Sequence, residues 1–496
     1  MAQRHARHST GGTSMPRRAR DGQDSGGPRR GGRRTASAGL LVAVGTGVGN
    51  VLAYGFNLVL SRGLGPGGYA ELGTLLSVFL IGTVPGLAVQ AINARRLAVL
   101  ADAPQPARAA LVRGLRRRGL AVAAGVAAVF VALAPAIAAL LPSVTVGGVA
   151  WTGVSLAANT VFASYLGIAQ GTSRFMTMTV LYLAAQGSRL AIGAVAASAQ
   201  VSPTTVMAAQ TAAWAFAAVA GRWLLRGEAV AGAAVAGAEP GAAARQGAEL
   251  PAGPAAEPAW QEAEQSAARR DHHHGYLPEV LRATGGLGGI LLLTVLDTLL
   301  ASRYLTDGDL GRYNTGALLA RAAFFAPSFV AMLAYPRLAR PVERRRALLV
   351  SLALTGGIGV LGVAIAGVGR DPLIGVAFGE KYATPGGFDL GAEGWVFTSV
   401  GALLALVNLA LLDGVARRSH VVSAVVLGGI VLETTVIVGF AHDSAGAIVT
   451  AAAACSLVTA TASVTACLMA RTAPEPVAAT LGAEDAQAVG AVAQST

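Results

Sequence analysis

Four ionisable side chains stand inside otherwise apolar stretches of this chain: Arg189, Asp297, Arg321 and Glu433. A charge at the centre of a bilayer costs at least about 2.5–3.5 kcal/mol, so it persists only where it is paired, hydrated or used. A guanidinium offers a fixed fork of donors that fits phosphate oxygens, which makes Arg189 and Arg321 candidates for holding an anionic headgroup. Asp297 and Glu433 are candidates for carrying a coupling proton or sodium ion. Counted along their segments, all four lie at a depth of roughly 20–25 Å, so one cavity could take them. The alternative use of Asp297 and Arg321, on consecutive helices, is a salt bridge inside one lobe.

Neutral polar residues form stripes beside these charges. Asn50, Tyr54, Asn57 and Ser61 are spaced i, i+4, i+7 and i+11, on one face of a helix. Thr152, Ser155, Asn159 and Gln170 form a second stripe, and Tyr182, Gln186 and Arg189 a third. Such a path suits a polyhydroxylated ligand; the competing use is interhelical hydrogen bonding, worth about 0.6 kcal/mol each. Asp271 and the run His272, His273 and His274 have no cysteine or carboxylate cluster beside them, so neither a metal site nor a cofactor is expected. Cys455 and Cys467 are twelve apart on one segment, about 18 Å along a helix, too far to bridge.

The elements that position these residues follow from composition. The 496 residues are 53% hydrophobic and 13% charged, with mean hydropathy +0.56, more apolar side chain than a soluble core of that size needs. Spanning about 30 Å of hydrocarbon takes roughly 20 apolar residues. Such runs fall at about 38–61, 73–93, 119–141, 146–169, 176–199, 203–225, 280–302, 312–335, 347–369, 392–412, 419–441 and 445–470. The expectation is an all-α polytopic membrane protein of about twelve transmembrane helices.

The net charge of +12 suggests nucleic acid until its distribution is read. Lys381 is the only lysine, and the arginines cluster in the segments joining every second span: 4–34, Arg95 to Arg118, Arg337 to Arg346, and Arg417 with Arg418. The loops 142–146 and 200–202 carry no charge. This asymmetry places both termini in the cytoplasm and the chain in the cytoplasmic membrane, with lipid rather than nucleic acid as partner. Arg33 and Arg34 precede a span too long for a cleaved signal, so an uncleaved first helix is expected.

Residues 1–36 form a basic tail expected to be disordered, and 227–278 a cytoplasmic linker rich in Ala, Gly, Glu and Pro. Between and after them lie two lobes of six helices, 37–226 and 279–471, followed by a cytoplasmic tail at 472–496. Ser61, Arg62, Leu64, Gly67 and Thr74 recur 241 residues later as Ser302, Arg303, Leu305, Gly308 and Thr315. Both copies follow an odd-numbered span, so the lobes are expected to be parallel, pseudo-symmetric repeats around a central cavity.

At these turns, LSRGLGPGGYAELGTLLS (60–77) and LDTLLASRYLTDGDLGRY (296–313), the chain resembles the polysaccharide flippase branch of the multidrug, oligosaccharidyl-lipid and polysaccharide exporter superfamily. LGIAQGTSRF (166–175), YPRLAR (335–340) and DPLIGVAFGEKY (371–382) add to the resemblance, which covers nearly all of 38–470. It implies two six-helix lobes around a cationic cavity, moving a lipid-linked oligosaccharide from the cytoplasmic to the outer leaflet by alternating access. Glycosyltransferases or a polymerase of the same pathway would be its partners. A membrane glycosyltransferase would carry acidic residues in its first outer loop, where only Glu71 stands, and a polymerase would carry a long outer loop, whereas 370–391 is too short to fold alone. Two other classes stay open beside the non-enzymatic flippase: a multidrug antiporter, and a scaffold that recruits envelope enzymes without transport.

Overall fold

The computed structural model describes residues 29–100, 104–230, 275–327, 330, 341–383, 387–417 and 419–470, and among these every regular element is a helix. The His272–His274 run, the motif at 335–340 and most of both tails and of the linker lie outside the described residues. In chain order the helices are α1 (Arg29–Gly82), α2 (Val84–Val99), α3 (Gln105–Leu140), α4 (Val146–Gly171), α5 (Phe175–Ala199), α6 (Pro203–Leu224) and α7 (Gly227–Val230). There follow α8 (Tyr276–Leu293), α9 (Leu296–Tyr304), α10 (Asp307–Phe325), α11 (Pro341–Phe378), α12 (Glu380–Ala383), α13 (Leu390–Ala416), α14 (Val421–Phe440) and α15 (Ala445–Met469).

Local chemistry sets the breaks. Helix α1 holds the first span and half of the second, divided at Gly65, whose φ of 69° lies in the left-handed region that glycine reaches without strain. Pro66 follows, with no N–H to continue the ladder. The second span breaks again at Thr83, and the seventh at Thr294 and Val295, between α8 and α9. Four helices start at a side-chain cap: Thr145 Oγ1 accepts from Gly148 N (3.1 Å), Ser202 Oγ from Thr205 N (3.3 Å), Asp389 Oδ1 from Ala392 N (2.9 Å) and Ser444 Oγ from Ala447 N (3.2 Å). These head the fourth, sixth, tenth and twelfth spans, the same two positions in each half.

Among the described residues eight helices are long and apolar enough to cross a membrane, and the longest, Val44–Val99, holds two of the expected spans. The rest of the expected twelve are α6, the broken pair α8 and α9, and α10. Helix α10 carries Asp307, Asp309, Arg312 and Arg321, which makes it less apolar than the other spans, and it is buried almost all round. Long apolar faces of α3 and α11, including Val129, Leu133, Val360 and Val368, stay exposed, as faces turned to lipid would be.

The packing repeats between halves. Helix α1 packs on α5, α3 on α4, α2 on α4, α4 on α6 and α5 on α6; correspondingly α8 and α9 pack on α14, α11 on α13, α10 on α13, α13 on α15 and α14 on α15. Two six-span bundles result, joined chiefly where α1 meets α10.

An ion cluster fastens the second bundle at its arginine-rich end. Arg344 Nε and Nη2 both donate to the Asp413 carboxylate at 2.8 Å, Arg417 Nε adds a third bond at 3.0 Å, and Arg344 Nη2 reaches the Cys467 carbonyl at 3.0 Å. Asp413 is fully buried, so α11 and α13 are tied through one carboxylate and α15 through the Arg344 guanidinium.

Candidate functional site

The seam between the bundles is built on small residues. A Cβ added at Gly73 would stand 2.6 Å from Cβ of Asn314, and one at Gly311 would collide with the Pro66 carbonyl. That closeness lets Asn314 Nδ2 donate to Ala70 O at 2.8 Å, while Tyr382 OH donates to Ser61 O at 3.0 Å. Arg312 braces the turn above by donating to the carbonyls of Tyr382 (3.1 Å) and Lys381 (3.3 Å). Deeper in the seam, Arg321 Nη2 of α10 donates to Ser77 Oγ of α1 at 2.6 Å, and Arg321 Nε is buried with no hydrogen-bond partner. At the arginine-rich end the bundles meet again, through Tyr276 OH to Asn93 Oδ1 (3.0 Å) and an ion pair of Arg96 with Glu279 (2.8 Å) that Arg95 joins. The chain is therefore held closed at both ends of the seam.

Behind Arg321 lies a small pocket, with room for water-sized occupants, lined by Thr294, Asp297, Arg321, Phe324, Val400 and Gly401 among others. Asp297 is buried; its Oδ2 accepts from Tyr313 OH at 2.9 Å and its Oδ1 from Thr298 Oγ1 at 3.4 Å. Asp297 and Arg321 line this pocket together, yet among the described residues no direct ion pair within 4.0 Å joins them. Glu433 of α14, 2% exposed, lies toward the backbone N–H of Asp297. The break before α9 explains this gathering, because the first amides of a helix lack intrahelical partners and carry the positive end of its dipole. Two buried carboxylates with the hydroxyls of Tyr313 and Thr298 form an oxygen-rich set suited to a proton or a small hard cation. Among the described residues no group of three or more His, Cys, Asp or Glu is placed to hold a metal ion.

Arg189 occupies a different place, inside the first bundle. Its guanidinium lies over the rings of Phe56 (4.5 Å) and Trp214 (5.0 Å), and donates to Gln186 Oε1 (2.8 Å) and Gln210 Oε1 (3.1 Å). Gln210 is held in turn by donating to Ser155 Oγ at 3.3 Å. Among the described residues no carboxylate pairs with Arg189; aromatic faces and amide oxygens take that part. Its partners come from α1, α5 and α6, whereas Arg321 bonds across the seam, so the structure does not gather the two arginines around one ligand position.

The polar stripes serve mainly within the same bundle. Asn50 Oδ1 accepts from Tyr182 OH at 2.9 Å, Asn57 accepts from Tyr69 OH at 3.4 Å and donates to Ala53 O at 2.9 Å, and half-buried Tyr54 packs on the core. Gln186 is committed to Arg189, and half-buried Asn159 lies beside Gly86. Sequence reasoning missed Ser77, Tyr313, Asn314 and Asp413. Of these only Asp413 carried a signal, four residues before Arg417 at the end of its span.

No family model and no curated protein sequence matches the chain. Solved structures do. A multidrug resistance MATE family transporter of the MOP superfamily, in its inward-facing conformation, is similar with a TM-score of 0.62 at 11% identity, over 84% of this chain and 93% of that one. The lipid II flippase MurJ, in an inward closed conformation, is similar with a TM-score of 0.57 at 9% identity, over 86% of this chain and 87% of that one. A multidrug resistance MATE family transporter of the MOP superfamily in its outward-facing conformation is similar with a TM-score of 0.55 at 12% identity, over 87% of this chain and 94% of that one. At such identities the likeness establishes the fold: this chain is an all-helical polytopic membrane protein with the architecture of MOP superfamily transporters.

Proposed function

We propose that this chain is a membrane transporter that carries a lipid-linked oligosaccharide or polysaccharide precursor from the cytoplasmic to the outer leaflet by alternating access of its two bundles. The observation that carries the reading is Arg321: a cation in the seam, bonded across it among the described residues only through Ser77 Oγ, with a buried guanidinium N–H left over. When the bundles part, that bond breaks and the fork is free for a phosphate of the lipid headgroup, an exchange of one acceptor for a charged one. Arg189 supports this at second hand, by keeping the interior of the first bundle electropositive. Asp297 and Glu433 are the coupling pair in this reading, taking a proton or sodium ion behind Arg321 and thereby linking its position to ion occupancy. The arginine-rich end faces the cytoplasm, and glycosyltransferases or a polymerase supply and consume the cargo.

One observation favours a second reading. The Asp297 and Glu433 carboxylates would equally serve a multidrug antiporter, which needs buried acids for organic cations and protons. The discriminating experiment sets a fluorescent lipid pyrophosphate saccharide against an organic cation in vesicles containing wild type or Arg321→Ala. Loss of lipid translocation with Arg321→Ala supports the flippase; cation transport that the variant leaves intact or raises supports the antiporter.

A further inference from the structure

At the arginine-rich end of the seam, two guanidinium groups of the first bundle converge on one carboxylate of the second. Arg96 Nη2 lies 2.8 Å from Glu279 Oε2, and Arg95 pairs with the other oxygen. The pair Arg96 and Glu279 is mostly buried, at 15% and 17% side-chain exposure, whereas Arg95 is 69% exposed and continues into solvent. Tyr276, one turn earlier on α8, completes the cradle: Arg96 and Arg118 lie over its ring at 5.4 and 5.8 Å, and its hydroxyl donates to Asn93. Asn93 in turn donates to Ser164 Oγ at 2.9 Å, which anchors the cradle on α4.

Glu279 is thus a carboxylate from one bundle seated in a basic pocket of the other. Such a pocket fits any compact dianion better than it fits one carboxylate, because phosphate offers more oxygens to the same forks. We propose that Arg95 and Arg96 form an anion cradle at the mouth of the seam, that Glu279 fills it in the closed form, and that a phosphate-bearing ligand displaces Glu279 and unlatches the bundles. The ligand would be the pyrophosphate of a lipid headgroup or free pyrophosphate. This deepens the reading of an anionic cargo and rests on it, but its test reads a distance and not a transport rate.

The test uses the full-length protein in neutral-lipid nanodiscs with Cys455 and Cys467 replaced by Ala. Spin labels at Val99 and Leu277, both exposed, report the arginine-rich end, and labels at Gly67 and Gly308 report the other. Glu279→Gln is expected to raise the ratio of open to closed distances at the first pair about tenfold or more, leaving the second pair short. Glu279→Arg with Arg96→Glu is expected to restore the short distance. Inorganic pyrophosphate is expected to open wild type, whereas Arg95→Ala with Arg96→Ala, open at the first pair from the start, is expected to show no further change with it. Nanodiscs doped with a polyprenyl pyrophosphate separate the lipid from the free anion by which of the two opens the mouth at lower concentration. If Glu279→Gln keeps the short distance, the latch is wrong; if neither pyrophosphate source opens wild type, the anion cradle is wrong. Opening by pyrophosphate with no lipid translocation in vesicles would leave the cradle standing and remove the flippase reading.

Discussion

Gly73 is the position where a single added carbon should shift the resting conformation. Its Cβ would stand 2.6 Å from Cβ and 2.7 Å from Cγ and Nδ2 of Asn314, where ordinary contacts begin near 3.4 Å. Asn314 has little room to yield, being 1% exposed and bonded to the Ala70 carbonyl at 2.8 Å. Gly73→Ala must therefore push the bundles apart or break that bond. Overpacking costs about 1–3 kcal/mol, and a lost hydrogen bond about 1 kcal/mol. The penalty falls on the closed seam and not on a form whose bundles have parted there. A shift of 1–3 kcal/mol multiplies the open population about 5- to 150-fold. Gly67 and Gly308 have nothing within 4 Å of an added Cβ, so spin labels there report the separation without disturbing it. Wild type is expected to give one short distance and Gly73→Ala a second, longer one. An unchanged distribution in a well-folded Gly73→Ala protein would refute the account of the seam.

Three more expectations follow from the buried charges. Asp413→Asn leaves Arg344 buried without its carboxylate and should destabilise the protein by about 3–5 kcal/mol, whereas Asp413→Leu with Arg344→Met should recover most of that; thermal unfolding in detergent reads both. Asp297→Asn and Glu433→Gln, each nearly isosteric, should preserve folding and abolish the dependence of transport on the proton or sodium gradient, as measured in vesicles with imposed gradients. Arg189→Met should fold, because its neighbours are two rings and two amides that tolerate an apolar chain, but should slow lipid translocation several-fold by removing the only described charge inside the first bundle; wild-type rates would contradict an electrostatic part for Arg189.

The fold was largely legible because lipid imposes a length on every span. The caps Thr145, Ser202, Asp389 and Ser444 even mark the same spans in both halves. Two features were hidden for physical reasons. The break at Thr294 and Val295 carries no proline or glycine of its own, and Glu433, which lies toward the freed amide of Asp297, is 136 residues away in sequence. Depth counted along a helix puts Arg189 and Arg321 at similar levels, but depth says nothing about azimuth. The faces were decided by Phe56 and Trp214 in one case and Ser77 in the other, each on a different helix. The pairing of Asp297 with Arg321 failed for a related reason: Tyr313, nearly two turns into α10, reaches the carboxylate first.

The measurement that bears most directly on the central claim is translocation of a fluorescent lipid pyrophosphate oligosaccharide across vesicles containing equal amounts of folded wild type, Arg321→Ala or Arg321→Lys. Translocation by wild type, loss with Ala and partial recovery with Lys are expected, since an ammonium restores the charge but not the two-pronged geometry. Normal translocation by a well-folded Arg321→Ala protein would contradict that claim.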